Sequence, residues 1–589
     1  MKKKLSIASV LLTSLLFVNC KKEEKMVVDF KSVTENYFKE KNALNPLDAT
    51  LNGQNEYNDQ FVFEMTDAYR EKQGKFFDKY EKQLSEVDTT SLTSEEKISY
   101  QIIKWETAIG KDLLEQEANL MPIHQFSGTH LTMSQFASGS NAQPFKTEKD
   151  YRNFLKRMEL YSVWIDSAII YMEKGIQKRM VLPAVLTEKV IPQFEGQITE
   201  NVEDNIFYST IKKMPKTFSE EAKLSLKADY TKVIAEKLMP QFRKMADFLN
   251  DKYLPASRKT SGIGSLSGGK ELYAVYVKQW TTTDKKPADI HELGLKEVAR
   301  LKAEMEKVKE QVGFKGTIVE FFDYVRNKPE LMPFKKPEEV IANFEAIHKK
   351  IKPNVDKLFS LQPKTPFEIR RVEAFREKTA SAEYIQGTAD GSRPGIFYVP
   401  IPDVTKYNCY GDEDLFLHEA IPGHHFQVSL QQENKELPDF RRFNWFGAYG
   451  EGWALYTESL GKELGLYTDP YQYFGMLGNE MHRAIRLVVD TGLHDKGWTR
   501  EQAIKYSLEN EAESEASIIS EVERYMAMPG QALSYKIGQL KIIELRKKAE
   551  NKMKDKFDIR LFHQKVLESG VMPLALLEKK INDWIERGN

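Results

Sequence analysis

The sequence predicts a mainly α-helical fold with one small β element. Gly and Pro number only 32 and 23 in 589 residues, below the average of about 12% for the pair, which disfavours a turn-rich β architecture. Apolar residues recur at three- and four-residue steps over long stretches, as in EKISYQIIKWETAIGKDLLEQEANL and EEAKLSLKADYTKVIAEKLMPQFRKMADFLNDKYL. The two cysteines, Cys20 and Cys409, provide no disulfide framework. Apolar burial must therefore hold the chain together, and with 41% hydrophobic residues there is enough chain to build a large core. Lys and Arg total 86 against 87 Asp and Glu. That balance excludes the cationic footprint of a nucleic-acid binder and the composition of an acidic disordered chain.

At the N-terminus, Lys2-Lys3-Lys4 precedes the apolar run LSIASVLLTSLLFV, which ends at Asn19-Cys20. This pattern predicts an export signal over 1–19, too short for a spanning helix. Cys20 resembles the lipidated first residue of a bacterial lipoprotein, and 20–29 then forms a polar tether. Lys21-Lys22-Glu23-Glu24 resembles the signal that sends some lipoproteins to the outer membrane. The expected protein is exported and lipid-anchored there, periplasmic or surface-facing. Residues 30–260 form an expected N-terminal helical lobe, interrupted at 120–145 by a polar stretch whose His124 and His130 read as loop histidines.

The glycine-rich SGIGSLSGG at 261–269 marks a break before an expected catalytic lobe at 270–589. Gly264, Gly269 and Lys270 satisfy the spacing of a phosphate-binding loop. Glu271 stands where that loop needs Ser or Thr, and no strand precedes it, so the match is rejected. His291-Glu292 opens a helix to about Val312 and reads as helix surface. IFYV at 396–399 reads as a strand, which Pro400 and Pro402 confine to an edge or an end. Helices resume from Gly411, and Thr499 with Gln502 gives a capping-box pattern.

Three of the ten histidines fall in GDEDLFLHEAIPGHHFQVSL, residues 411–430. His418-Glu419 on a helix is the first half of a zinc-binding H-E-x-x-H, in which two His one turn apart bind zinc and the Glu works on water. Here Pro422 stands where the second His belongs. In an unbroken helix His425 would lie about 20° round from His418 but about 10.5 Å along the axis. Pro422 removes a backbone hydrogen bond and Gly423 is permissive, so a local bulge with two looped-out residues would return His424 to the ligand position. His418 and His424 are the preferred pair, with His425 as the alternative. Glu451, in GEGWALYTE and twenty-seven residues after His424, is the expected third ligand. Glu458, seven residues further on, suits a supporting role behind a ligand.

These residues resemble a known bacterial family, domain-of-unknown-function number 885, whose pattern is H-E-x-x-P-G-H-x-x-Q followed by E-G-W-A-L-Y. The match holds at His418, Glu419, Pro422, Gly423, His424, Gln427 and Glu451 through Tyr456. It extends to DTGLHDKGWT at 490–499 and RYMAMPGQALSYKIG at 524–538, and so over most of the chain from about residue 30. The resemblance implies a zincin-type fold similar to thimet-oligopeptidase- and Taq-carboxypeptidase-like enzymes, with a cleft between two helical lobes. It does not define a substrate.

The expected function is zinc-dependent peptide hydrolysis, with Zn2+ on His418, His424 and Glu451 and with Glu419 as general base. An oxyanion donor is expected at Tyr535 or, second, His494, both in family-like motifs. Arg393 and Arg524 are candidates for a substrate carboxylate, and IFYVPIP for edge pairing with a peptide. The competing expectations are an inactive scaffold serving as a peptide- or ligand-binding lipoprotein, and a zinc amidase or esterase acting outside peptides. The sequence sets neither the oligomeric state nor the choice between exo- and endo-cleavage.

Overall fold

Helices cover most of the chain between Phe30 and Arg587 in the computed structural model. It describes residues 29–588 except 140, 374–376, 378–379, 389–390 and 392. The expected export signal and Cys20 lie outside the described residues. Among the described residues, no helix is long and apolar enough to cross a membrane.

The helices begin where the sequence provides caps. Thr93 with Glu96, Thr147 with Asp150 and Thr499 with Gln502 each form the reciprocal capping pair. Their apolar faces build one continuous core that runs from Phe30 to Trp584. Segments on both sides of residues 261–269 share it. Arg441, fully buried, reaches from the second half of the chain to the Glu95 carboxylate at 2.9 Å and Ser99 Oγ at 3.3 Å.

The glycines at 261–269 serve packing. A Cβ on Gly262 would stand 1.8 Å from the Leu493 carbonyl oxygen, and one on Gly264 would stand 2.1 Å from that of His494. Only glycine lets this loop lie against the end of helix Pro470–His494. That helix packs against both Pro287–Gln311 and Leu533–Met553.

Two expectations about histidines change. His130 belongs to helix Thr129–Ala137, is buried, and faces Gln193 Oε1 at 3.1 Å. His291 is no surface residue: its ring is buried and its Nδ1 meets Thr491 Oγ1 at 2.8 Å. In both cases packing from distant helices covers a face that local sequence left open.

The β element is a three-stranded sheet, β1 (Phe367–Arg371), β2 (Glu383–Ile385) and β3 (Gly395–Val399), in the order β1-β3-β2. β3 pairs in parallel with β1, Ile396 opposite Glu368, and antiparallel with β2, Phe397 opposite Tyr384. The strand containing IFYV is therefore central rather than an edge. Pro400 lies just past its end, where the missing N–H costs no ladder bond. β2 takes the edge position beside the candidate site.

Candidate metal centre

Helix Asp412–Glu419 carries His418 and Glu419, and its acidic first turn is buried and bonded. Asp412 accepts from Tyr407 Oη at 2.9 Å and Asn343 Nδ2 at 2.7 Å. Asp414 accepts from Asn479 Nδ2 at 2.6 Å. These bonds fix the helix against its neighbours.

The helix stops completely at Ala420, so the chain breaks where a bulge was expected. Ala420–Gly423 forms a short irregular link, and a new helix, His424–Glu433, starts at the second histidine. Gly423 is pressed onto the end of the first helix. A Cβ there would lie 1.9 Å from the His418 carbonyl oxygen and 2.2 Å from that of Leu417. Trp453 Nε1 donates to the Pro422 carbonyl at 2.8 Å and Thr457 Oγ1 to that of Leu417 at 2.9 Å. Both donors come from helix Gly447–Glu458, which carries Glu451, so the link and the third acid are tied to each other.

The glycines flanking Glu451 have a packing cause. A Cβ on Gly450 would stand 2.1 Å from the Trp445 ring, and one on Gly452 would stand 2.4 Å from Gly538 Cα. This places Glu451 on a helix gripped between Trp445 and helix Leu533–Met553.

His418, His424 and Glu451 converge, each offering one ligand atom, with these atoms within 4.8 Å of one another. Glu451 Oε2 is 3.4 Å from His424 Nε2 and 3.8 Å from His418 Nε2. The imidazole planes of the two histidines are perpendicular, with centroids 4.8 Å apart. Glu458 Oε1 lies 2.6 Å from His418 Nδ1, which leaves Nε2 as the ring atom facing the cluster. His424 Nδ1 is buried without a hydrogen-bond partner.

The donor set fits a zinc ion. Tetrahedral donors about 2.05 Å from zinc stand about 3.3 Å from one another; the Glu451–His424 separation of 3.4 Å matches that spacing and the 3.8 Å to His418 is wider. Glu451 has only the two imidazoles as ion partners within 4.0 Å among the described residues. A half-buried carboxylate with no Lys or Arg ion partner suits a bound cation.

Burial pushes the Glu419 carboxyl up to about 7, with Glu451 adding to the rise and His424 opposing it. A buried acid near neutrality suits proton transfer. The Tyr384 backbone N–H of β2 is directed at this carboxyl, which brings the sheet edge to the site. Burial, with His424, Arg483 and Arg486, holds His418 well below its usual range. Burial opposes a charge on His424, but the Glu451 carboxylate outweighs it and raises the ring's proton affinity.

His425 turns away from the cluster. Its ring packs on Phe367 at 4.8 Å, and its Nδ1 is 3.2 Å from Tyr384 Oη. His494 is also remote in function. Its Nδ1 accepts from the Ile263 backbone N–H at 3.0 Å, and its Nε2 meets the Tyr525 carbonyl at 3.0 Å. Both ring nitrogens are committed to backbone, which corrects the expectation of an oxyanion donor there. Tyr535 is half-buried, its ring 4.7 Å from the Arg486 guanidinium carbon. Arg524 pairs with Glu521 at 3.3 Å and Gln531 at 3.1 Å. Arg393 is exposed in the loop before β3. Sequence reasoning missed Arg483 and Arg486, whose charges act on the cluster. A cavity of about 160 Å³ is lined in part by Trp445, whose ring lies 5.9 Å from that of His424.

Fold and site thus define a large, mainly helical protein with a partly buried two-histidine, one-glutamate cluster beside a glutamic acid. The chain belongs to the family described as "Bacterial protein of unknown function (DUF885)", whose model matches residues 46–581. It is similar to the crystal structure of a "putative lipoprotein" from Colwellia psychrerythraea, at 27% identity and a TM-score of 0.87, over 95% of this chain and 99% of that one. It also resembles in fold a "putative lipoprotein of unknown function" from Shewanella oneidensis, at 20% identity and a TM-score of 0.73, over 93% of this chain and 99% of that one. No curated protein matches the sequence.

Proposed function

We propose that the protein is a zinc-dependent peptide hydrolase of the zincin type, exported and anchored to the outer membrane through a lipid on Cys20. The convergence of His418, His424 and Glu451 next to Glu419 carries this reading. Similarity to proteins described as lipoproteins supports the anchor.

When bound, zinc supplies Lewis-acid chemistry that acidifies water and polarises a carbonyl. His418 and His424 would hold it through Nε2 and Glu451 through Oε2, with Glu458 fixing the His418 ring. Glu419 takes the proton of the attacking water and delivers it to the leaving amine nitrogen. Its buried carboxyl, near 7, exchanges a proton readily in both directions. Tyr535 donates its hydroxyl to the developing oxyanion. The outer edge of β2 aligns the peptide backbone beside Glu419.

Metal content and product analysis test this reading together. Mass-spectrometric metal analysis of the purified protein should find about one zinc per chain, lost in His424→Ala and kept in His425→Ala. A defined peptide mixture incubated with the zinc-loaded protein should yield cleavage products. Zinc retained in His424→Ala alone, or an untouched peptide mixture, would count against it.

A further inference from the structure

Helix Pro470–His494 runs alongside helix Asp412–Glu419 in a fixed register. A Cβ on Gly475 would be 2.1 Å from the Tyr410 carbonyl oxygen, and Asn479 Nδ2 bonds Asp414 Oδ2 at 2.6 Å. Four residues advance each contact by one turn. Arg483 therefore comes level with His418, and Arg486 lies a further turn on, beyond the end of the short helix at Glu419.

Both guanidinium groups hold unused donors. Arg483 Nε is buried without a hydrogen-bond partner. Its Nη1 reaches only Asn479, at 3.4 Å, and no carboxylate lies within 4.0 Å among the described residues. Arg486 is 5% exposed. It bonds Glu521 at 2.8 Å and Tyr525 Oη at 3.2 Å, yet its Nη1 has no partner. Leaving such donors unmet in a buried site is costly, and two arginines one turn apart match the planar, two-oxygen geometry of a carboxylate. The Tyr535 ring covers Arg486, and its hydroxyl forms no hydrogen bond among the described residues. Arg483 acts electrostatically on His418, Glu419, His424 and Glu451 together, in keeping with its level beside His418 in the helix register.

We propose that Arg483 and Arg486, walled by Tyr535, bind a carboxylate of the substrate beside the metal centre, that of a peptide's free C-terminus. The substrates are then short peptides cleaved near that end. This rests on the peptide-hydrolase reading for the nature of the ligand. An acidic side chain near the scissile bond would offer the same chemistry.

The test uses the mature, zinc-supplemented protein carrying Glu419→Gln, so that bound peptide survives, and measures affinity by calorimetry. The ligands are one blocked tetrapeptide as the free acid, the same peptide as its C-terminal amide, and an amide with Asp in the last position. The free acid should bind about tenfold to 100-fold tighter than the amide. Arg483→Gln should bring that ratio near one, and Arg486→Lys, which keeps the charge and spares the Glu521 contact, should reduce it in part. Tight binding of the Asp amide alone would assign the pocket to an acidic side chain and overturn the C-terminal assignment. Equal affinity for all three ligands, or an unchanged ratio in Arg483→Gln, would overturn the pocket itself. Wild-type hydrolysis of the free acid, followed separately, reports on the peptidase reading, so the two failures are distinguishable.

Discussion

Replacing Glu458 should weaken metal binding although Glu458 is no ligand. Its Oε1 lies 2.6 Å from His418 Nδ1, and its side chain is 2% exposed. The bond fixes both the ring and the tautomer that turns Nε2 towards the cluster. Loss of such a support costs about 10-fold to 100-fold in metal affinity, or about 1.4–2.7 kcal/mol. Glu458→Gln retains an amide oxygen that accepts from Nδ1–H, so its loss should sit near tenfold. Glu458→Leu leaves Nδ1–H with no acceptor in a dry setting and should reach the upper end, with about 1–3 kcal/mol of lost stability as well. Zinc affinity is read by competition with a chromophoric chelator at fixed pH, and urea melts of the apo proteins separate stability from affinity. Wild-type zinc affinity in both folded variants would refute the supporting role.

Gly423→Ala should lower zinc content, because its Cβ has only 1.9 Å to the His418 carbonyl oxygen and the link must move His424; metal analysis of the folded fraction checks this. Gly538→Ala, whose Cβ would stand 1.8 Å from the Ala448 carbonyl oxygen, should cost about 1–3 kcal/mol or more in a denaturant melt. His494→Gln should keep its zinc and lose stability. Burial pushes the His494 ring down to about 3, so the unfolded chain takes up a proton below about 6.5 that the folded chain refuses, and stability falls as pH drops. The wild-type advantage over His494→Gln should shrink by about 2 kcal/mol between pH 7.5 and pH 5 in urea melts; a constant gap would contradict the buried neutral ring.

The helical class was legible because it rests on local patterns, and caps such as Thr499 with Gln502 formed where the spacing placed them. Pro422 and Gly423 pointed to a distorted helix that returns His424 towards His418. The complete break, with Gly423 pressed against the preceding turn, depends on backbone contacts that spacing cannot specify. His494 sat in a suggestive motif, yet its ring is set by Ile263, more than two hundred residues earlier. Arg483 and Arg486 read locally as charges on a helix; only the register between two helices brings them to the cluster. The central place of β3 was hidden because its partners are short, β2 having only three residues, and neither carries a clear strand pattern.

The most direct measurement compares zinc-loaded wild type with zinc-loaded Glu419→Gln on one defined peptide mixture, with metal content determined on the same samples. Hydrolysis should fall by at least about 10²–10⁴-fold at equal zinc content. Equal hydrolysis by the two proteins, or none by the wild type at full zinc occupancy, would contradict a metal-assisted peptidase with Glu419 as its base.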